Sequence, residues 1–219
     1  MGDIFINFCR TGNLNSIMCA ININKINIHV NDEYGFIVAC YNGHKHIVEY
    51  LINLCKQNPT CAKINIHAKD ELGFRWACER GHKHIVEYLI NLYKNNPIYT
   101  KINIHSENEG GFKMACMFGH LHIVKYLINL YKMNLNYAKI NIHANNEEGF
   151  RWACYYGYIH IIKYLINLHK IQPTYANINI HAQNELGFTW AYVNGHLHII
   201  KYLLSCGCYS NNYKCIIIL

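Results

Sequence analysis

The sequence predicts an all-α solenoid of helix-turn-helix units joined by short extended connectors, and three observations carry that reading. The tetrapeptide Ile-Asn-Ile-His ends at His29, His67, His105, His143 and His181, each 38 residues after the one before. Behind it, glycine, phenylalanine and alanine hold fixed phases: Gly35 through Gly187, Phe36 through Phe188, Ala39 through Ala191, and then Gly43, Gly81, Gly119, Gly157 and Gly195. After each of these last glycines the apolar residues follow helical spacing, as in Ile47, Tyr50, Leu51 and Leu54. Two short helices cannot bury such broad apolar faces alone, so identical neighbours must stack.

Five units occupy 25–62, 63–100, 101–138, 139–176 and 177–204. A partial unit over 1–24 reads as an N-terminal cap, because Phe5, Cys9, Gly12 and Ile17 fall under Phe36, Cys40, Gly43 and Val48. Residues 205–219 form a tail whose apolar end, Cys215 to Leu219, is expected to pack on the last unit or else to leave a sticky, incompletely capped end. Within a unit, Asp32 and its equivalents Asn108, Asn146 and Asn184 suit an N-cap, with Glu33 in the first turn at the positive end of the helix dipole. Gly43 is a natural left-handed terminator of that first helix. In the second helix Val48, Ile52 and Cys55 widen the apolar stripe, leaving only positions 46, 49, 53 and 56 polar. Pro59, Pro97 and Pro173 stop it, with Leu135 in the third unit's place. Trp76, Trp152 and Trp190 share a column with Val38 and Met114 and are expected in the core.

Here the residues reach a family. The run Gly43-His44-x-x-Ile47-Val48-x-Tyr50-Leu51-Ile52, preceded by Ala39-Cys40, resembles the ankyrin repeat with its Gly-His turn and aliphatic second helix. The resemblance covers 25–204 and much of 1–24. It departs from the family in opening on Glu-x-Gly-Phe instead of Thr-Pro-Leu-His, and in a period longer than the family's roughly 33 residues. The variant with Trp-Ala-Cys on helix one and Lys-Tyr-Leu on helix two looks like the divergent ankyrin arrays of giant DNA viruses. The family resemblance implies an ankyrin-type solenoid and a non-catalytic scaffold that binds another protein through a concave face made by first helices and turns. It also implies a structural role for His44, His82, His120 and His196, whose imidazoles would bond backbone between helices, with Tyr158 replacing histidine in the fourth unit.

Composition bounds the rest. With 52% apolar and 15% charged residues the chain is not intrinsically disordered, and no apolar run approaches the roughly 20 residues of a membrane-spanning helix. Asp3 stands where a secretory leader would be basic, so no export signal is expected, and the expected location is intracellular, in the cytoplasm (the host's, if the chain is viral). Its 11 cysteines are then expected as free thiols. Gly2 and Cys215 each miss a lipidation motif by one position. The net charge of +7 is uneven: eleven basic and ten acidic residues lie in 1–109, nine and three in 110–219. That leaves nucleic-acid binding through Lys113, Arg151, Lys163 and Lys201 as an alternative, disfavoured because the basic residues are dispersed. A second alternative is a metal-binding repeat through Cys40-x3-His44-x-His46, recurring at Cys78/His82/His84 and Cys116/His120/His122, although no fourth ligand accompanies it.

No cofactor, small-molecule substrate or catalytic residue is expected. Five copies of one Cys–His pair contradict the single specialised pocket of a nucleophilic enzyme, and Gly110-Gly111 lacks the Lys-Ser or Lys-Thr of a phosphate loop. Function should lie where units differ. The column after Phe reads Ile37, Arg75, Lys113, Arg151, Thr189; the pair before the glycine reads Tyr41-Asn42, Glu79-Arg80, Met117-Phe118, Tyr155-Tyr156, Val193-Asn194. Arg75, Arg80, Lys113, Phe118, Arg151, Tyr155 and Tyr156 are therefore the expected partner-binding residues.

Overall fold

The computed structural model describes residues 2–22, 26–57, 62–133 and 137–208, apart from the side chains of 55–57, and among them finds twelve α-helices and no strand. They are α1 (Gly2–Thr11), α2 (Leu14–Asn22), α3 (Val30–Tyr41), α4 (Lys45–Gln57), α5 (Ala68–Glu79), α6 (Lys83–Asn95), α7 (Ser106–Met117), α8 (Leu121–Met133), α9 (Ala144–Tyr156), α10 (Ile159–Ile171), α11 (Ala182–Val193) and α12 (Leu197–Ser205). The chain divides within α7 into two compact units, one ending at Gly111 and the other beginning at Phe112. In the first, α3 packs between α1 and α5, and α4 lies on α6; in the second, α9 packs on α11 and α8 on α10. No helix of the described residues is long and apolar enough to cross a membrane.

Two residues per unit set the packing of first helix on first helix. Phe36 is fully buried with its ring over Gly73 of the next unit, where a Cβ would stand 2.9 Å from the ring edge. Phe74 lies on Gly111 in the same way, and in the second compact unit Phe112 lies on Gly149 and Phe150 on Gly187. The Gly-Phe dipeptide is thus a socket and a plug offset by one unit, and each buried ring contributes roughly 2–3 kcal/mol of apolar burial. In the second helix Ile47, Val48, Leu51 and Ile52 are all buried, as two-sided coverage requires. After the second helix, Tyr99 reaches back to donate its hydroxyl to the Ile52 carbonyl at 3.0 Å, and Tyr175 does the same to Ile128 at 3.2 Å.

The start of the first helix differs from the expected N-cap. Asn31, Asp32 and Glu33 are all left-handed, with φ of 52°, 56° and 63°, and the same three positions are left-handed in each of the five units. The right-handed helix begins only after the glutamate. Left-handed backbone disfavours residues with a Cβ by roughly 1–2 kcal/mol each, and Asn and Asp tolerate it best. The middle position is always Asn or Asp: Asp32, Asp70, Asn108, Asn146, Asn184. The residue type that suggested a cap is there because it accepts this conformation. The connector before it is held by an Asx turn, as Asn65 Oδ1 accepts the His67 backbone N–H at 3.1 Å, while Ile64 and Ile66 are buried on either side. Pro59, Leu135 and the tail from 209 lie outside the described residues, so the expected tail packing does too. Pro97 stands just beyond the extended C-cap Asn96 of α6.

Candidate functional site

Glutamate at the end of each left-handed turn points inward, not to solvent. Glu33 is only 5% exposed, and its Oε1 accepts both His29 Nδ1–H at 2.8 Å and the backbone N–H of Asn65 in the next unit at 3.0 Å. Glu71 repeats this with His67 at 2.7 Å and Asn103 at 3.0 Å, and Glu147 with His143 at 2.8 Å and Asn179 at 3.3 Å. Glu109 accepts from His105 at 2.8 Å, and Glu185 from His181 at 3.0 Å. One carboxylate therefore orders its own turn and joins it to the following unit. The sequence reading placed these glutamates in the first turn at the positive end of the helix dipole and gave no role to the Ile-Asn-Ile-His histidines.

The Gly-His position works between units as well. His44 Nε2 donates to the Arg10 carbonyl at 3.0 Å, His82 to Tyr41 at 3.0 Å, and His196 to Tyr155 at 2.9 Å. Each ring lies on the glycine of the preceding unit, so Gly43 at φ +79° meets both the left-handed requirement and the ring of His82, whose edge would be 2.6 Å from a Cβ. Gly81, Gly119, Gly157 and Gly195 share the positive φ, and Tyr158 takes the histidine's place over Gly119. His120 stands before α8 with its ring 5.8 Å from that of His122. His46 is exposed as expected, yet its Nε2 donates to the Gly12 carbonyl at 3.1 Å.

This geometry dissolves the repeated metal motif. The Cys40 sulfur packs toward Gly73 in the following unit, while the His44 ring lies on Gly12 in the preceding one. Sulfur and imidazoles point to opposite neighbours. Burial also pushes the Cys40, Cys78, Cys116 and Cys154 thiols far above their ordinary range.

The expected partner-binding residues divide into two groups. Arg75 donates from Nε to the Asp70 carbonyl at 2.9 Å and from a terminal nitrogen to Lys69 at 3.1 Å; Arg151 does the same to Asn146 and Asn145, both at 2.9 Å. These guanidinia clamp the left-handed turn of their own unit. Lys113 pairs with Glu148 at 2.9 Å. Burial opposes ionisation of Glu148, but hydrogen bonds from Asn145, Lys113 and Trp152 outweigh it and hold its carboxyl below the ordinary value. Phe118 is half-buried where α7 ends. Arg80 is exposed and lies over the Tyr41 ring at 4.9 Å, beside a shallow pocket lined by Tyr34, Tyr41, Trp76 and Glu79.

Tyr155 and Tyr156 belong to a surface layer of aromatic rings in the second compact unit. Trp152 is 5.0 Å from Trp190, 5.6 Å from Tyr155 and 5.9 Å, stacked, from Tyr156. Tyr155 meets Tyr156 edge-on at 4.8 Å, and the Arg151 guanidinium lies over Trp190 at 5.5 Å. Tyr156 is 41% exposed, and all three tryptophans are half-buried instead of lying in the core as expected. Only Val38 of that column is fully in the core. In the first compact unit Trp76 likewise sits edge-on to Tyr34 and Tyr41. Flat indoles at one phase of three units, beside tyrosines before the turn glycine, were the available sign of this layer.

The solved structures similar to this chain include an ankyrin repeat family protein from Legionella pneumophila, 19% identical, covering 92% of this chain and 71% of that one with a TM-score of 0.37. Curated proteins give no match. The family described as "Ankyrin repeats (3 copies)" matches residues 5–101, 36–137, 76–175 and 112–214. Ankyrin repeats generally mediate protein–protein interaction and are typically non-enzymatic scaffolds. With its helices in tandem pairs and that family matched without a break from residue 5 to residue 214, this chain has the fold of an ankyrin solenoid and belongs to the ankyrin repeat family.

Proposed function

We propose that the chain is a non-catalytic scaffold that binds another protein through the first-helix surface, the side that the family presents as concave. The observation that carries this reading is the aromatic layer of Trp152, Tyr155, Tyr156 and Trp190, left at the surface although the fold has a core able to take such rings. Tryptophan, tyrosine and arginine are the residues that most often anchor protein interfaces. Arg151 serves here by bracing the layer and Arg80 by offering a second anchor over Tyr41. The resemblance to giant-virus ankyrin arrays supports a host protein as partner and the host cytoplasm as location. Nucleic acid is the poorer fit, because three lysines of the more basic half are engaged on the chain's own groups: Lys113 on Glu148, Lys125 over Tyr164, Lys163 over Tyr202.

The test is capture of a partner with the full chain, followed by titration of the purified pair. Tyr156→Ala is expected to weaken binding by about 2 kcal/mol, some 30-fold, with an unchanged circular dichroism spectrum. Equal affinities for wild type, Tyr156→Ala and Arg80→Ala would refute the surface. Binding to DNA or RNA with a steep salt dependence, abolished by Lys163→Glu with Lys201→Glu, would replace the reading altogether.

A further inference from the structure

Among the described residues one group of metal-ligating side chains converges, and it lies outside the repeated Cys-His motif. The ligand atoms of His181, Glu185 and Cys208 all fall within 4.8 Å of one another. In earlier units the buried glutamate accepts the backbone N–H of the next unit, Asn65 on Glu33 and Asn179 on Glu147. Beyond α12 the chain turns at Gly207, φ +92°, and brings the side chain of Cys208 to Glu185.

We propose that His181, Glu185 and Cys208 form a binding site for a zinc-class divalent cation that clips the turn after α12 to the start of α11. The donor set is imidazole, carboxylate and thiol, which suits zinc or cobalt and not the all-oxygen preference of magnesium or calcium. A tetrahedral zinc needs neighbouring ligand atoms about 3.3–3.8 Å apart, a distance that small side-chain rotations reach from this arrangement. Charge is matched too: one carboxylate and one thiolate neutralise a dication, with histidine neutral. Exposure is graded across the site, since the His181 side chain is 53% exposed, that of Glu185 is 15% exposed, and Cys208 is fully buried. An ion enters from the histidine side and its sulfur bond is shielded from water. Three protein ligands leave the fourth position to water or to a group from outside.

Binding forms the metal–sulfur bond as the S–H bond breaks, with the proton released to solvent.

The test uses the full chain, reduced and stripped of metal, titrated with cobalt(II) as the spectroscopic stand-in. The expected result is a thiolate-to-cobalt absorption band that saturates at one equivalent and is displaced by zinc. Cys208→Ser should remove the band, Cys40→Ala and Cys206→Ser should keep it, and His181→Ala should weaken binding by at least about tenfold. His181 is exposed enough that its variant should fold, which circular dichroism checks, so the site stays testable if Cys208→Ser does not fold. No thiolate band at one equivalent, a band that survives Cys208→Ser, or unchanged affinity in a folded His181→Ala each overturns the site.

Discussion

A buried glutamate that accepts two hydrogen bonds is worth more than an exposed one in a salt bridge, and this chain contains both. Glu71 lies under the left-handed turn, taking the His67 ring and the Asn103 backbone N–H, whereas Glu49 on α4 meets Lys45 at 3.3 Å with both side chains about two-fifths exposed. Glu71→Ala removes a buried acceptor that joins two units and loses two charge-assisted bonds, so it should cost about 2–3 kcal/mol and lower the Tm by about 5–10 °C. Glu49→Ala should stay within about 0.5 kcal/mol. Thermal melts of the two variants decide this, and equal costs would mean that the Glu71 bonds are no better than solvated ones. The sequence showed the glutamate column but not its direction. Glutamate four residues after a histidine fits a first turn facing solvent equally well until the left-handed backbone turns it inward.

At the scale of the element, the helices were legible because a period of 3.6 survives in every copy, and the turn glycines because a left-handed C-cap leaves a glycine at a fixed phase. Two things were not legible. Three consecutive left-handed residues without glycine have no strong local signature, since Asn and Asp serve N-caps and left-handed backbone alike. The second is which neighbour lies on each glycine, because that contact is made between units. A paired prediction uses it. Gly43→Ala meets the backbone cost of roughly 1 kcal/mol and also drives a Cβ to within 2.6 Å of the His82 ring, dislodging its bond to Tyr41. Gly195→Ala meets the backbone cost alone, since among the described residues nothing lies within 4 Å of a Cβ there. Denaturant unfolding should separate the two by at least about 1 kcal/mol. Indistinguishable midpoints would show that the inter-unit histidine yields freely.

For the whole molecule, stability is a sum over units and the interfaces between neighbours, and those interfaces repeat in chemistry as well as in spacing. Phe36 lies on Gly73 as Phe74 lies on Gly111, and Glu33 holds Asn65 as Glu71 holds Asn103. Removing residues 63–100 would therefore bring Phe36 to Gly111 and Glu33 to Asn103 with nothing unmatched. The shortened chain should fold with unchanged helicity per residue. Its denaturant midpoint and slope should both fall, because one unit's burial and one interface are gone and less surface is exposed on unfolding. Removing residues 1–24 takes away only α1 and α2, with Phe5, Cys9 and Ile17 as their buried core, and should lower the midpoint less. Equilibrium unfolding of the three chains followed by circular dichroism gives the order directly. An internal deletion that left the midpoint where it was, or abolished cooperative unfolding while the N-terminal deletion did not, would mean that the units are not interchangeable and that one of them nucleates the rest.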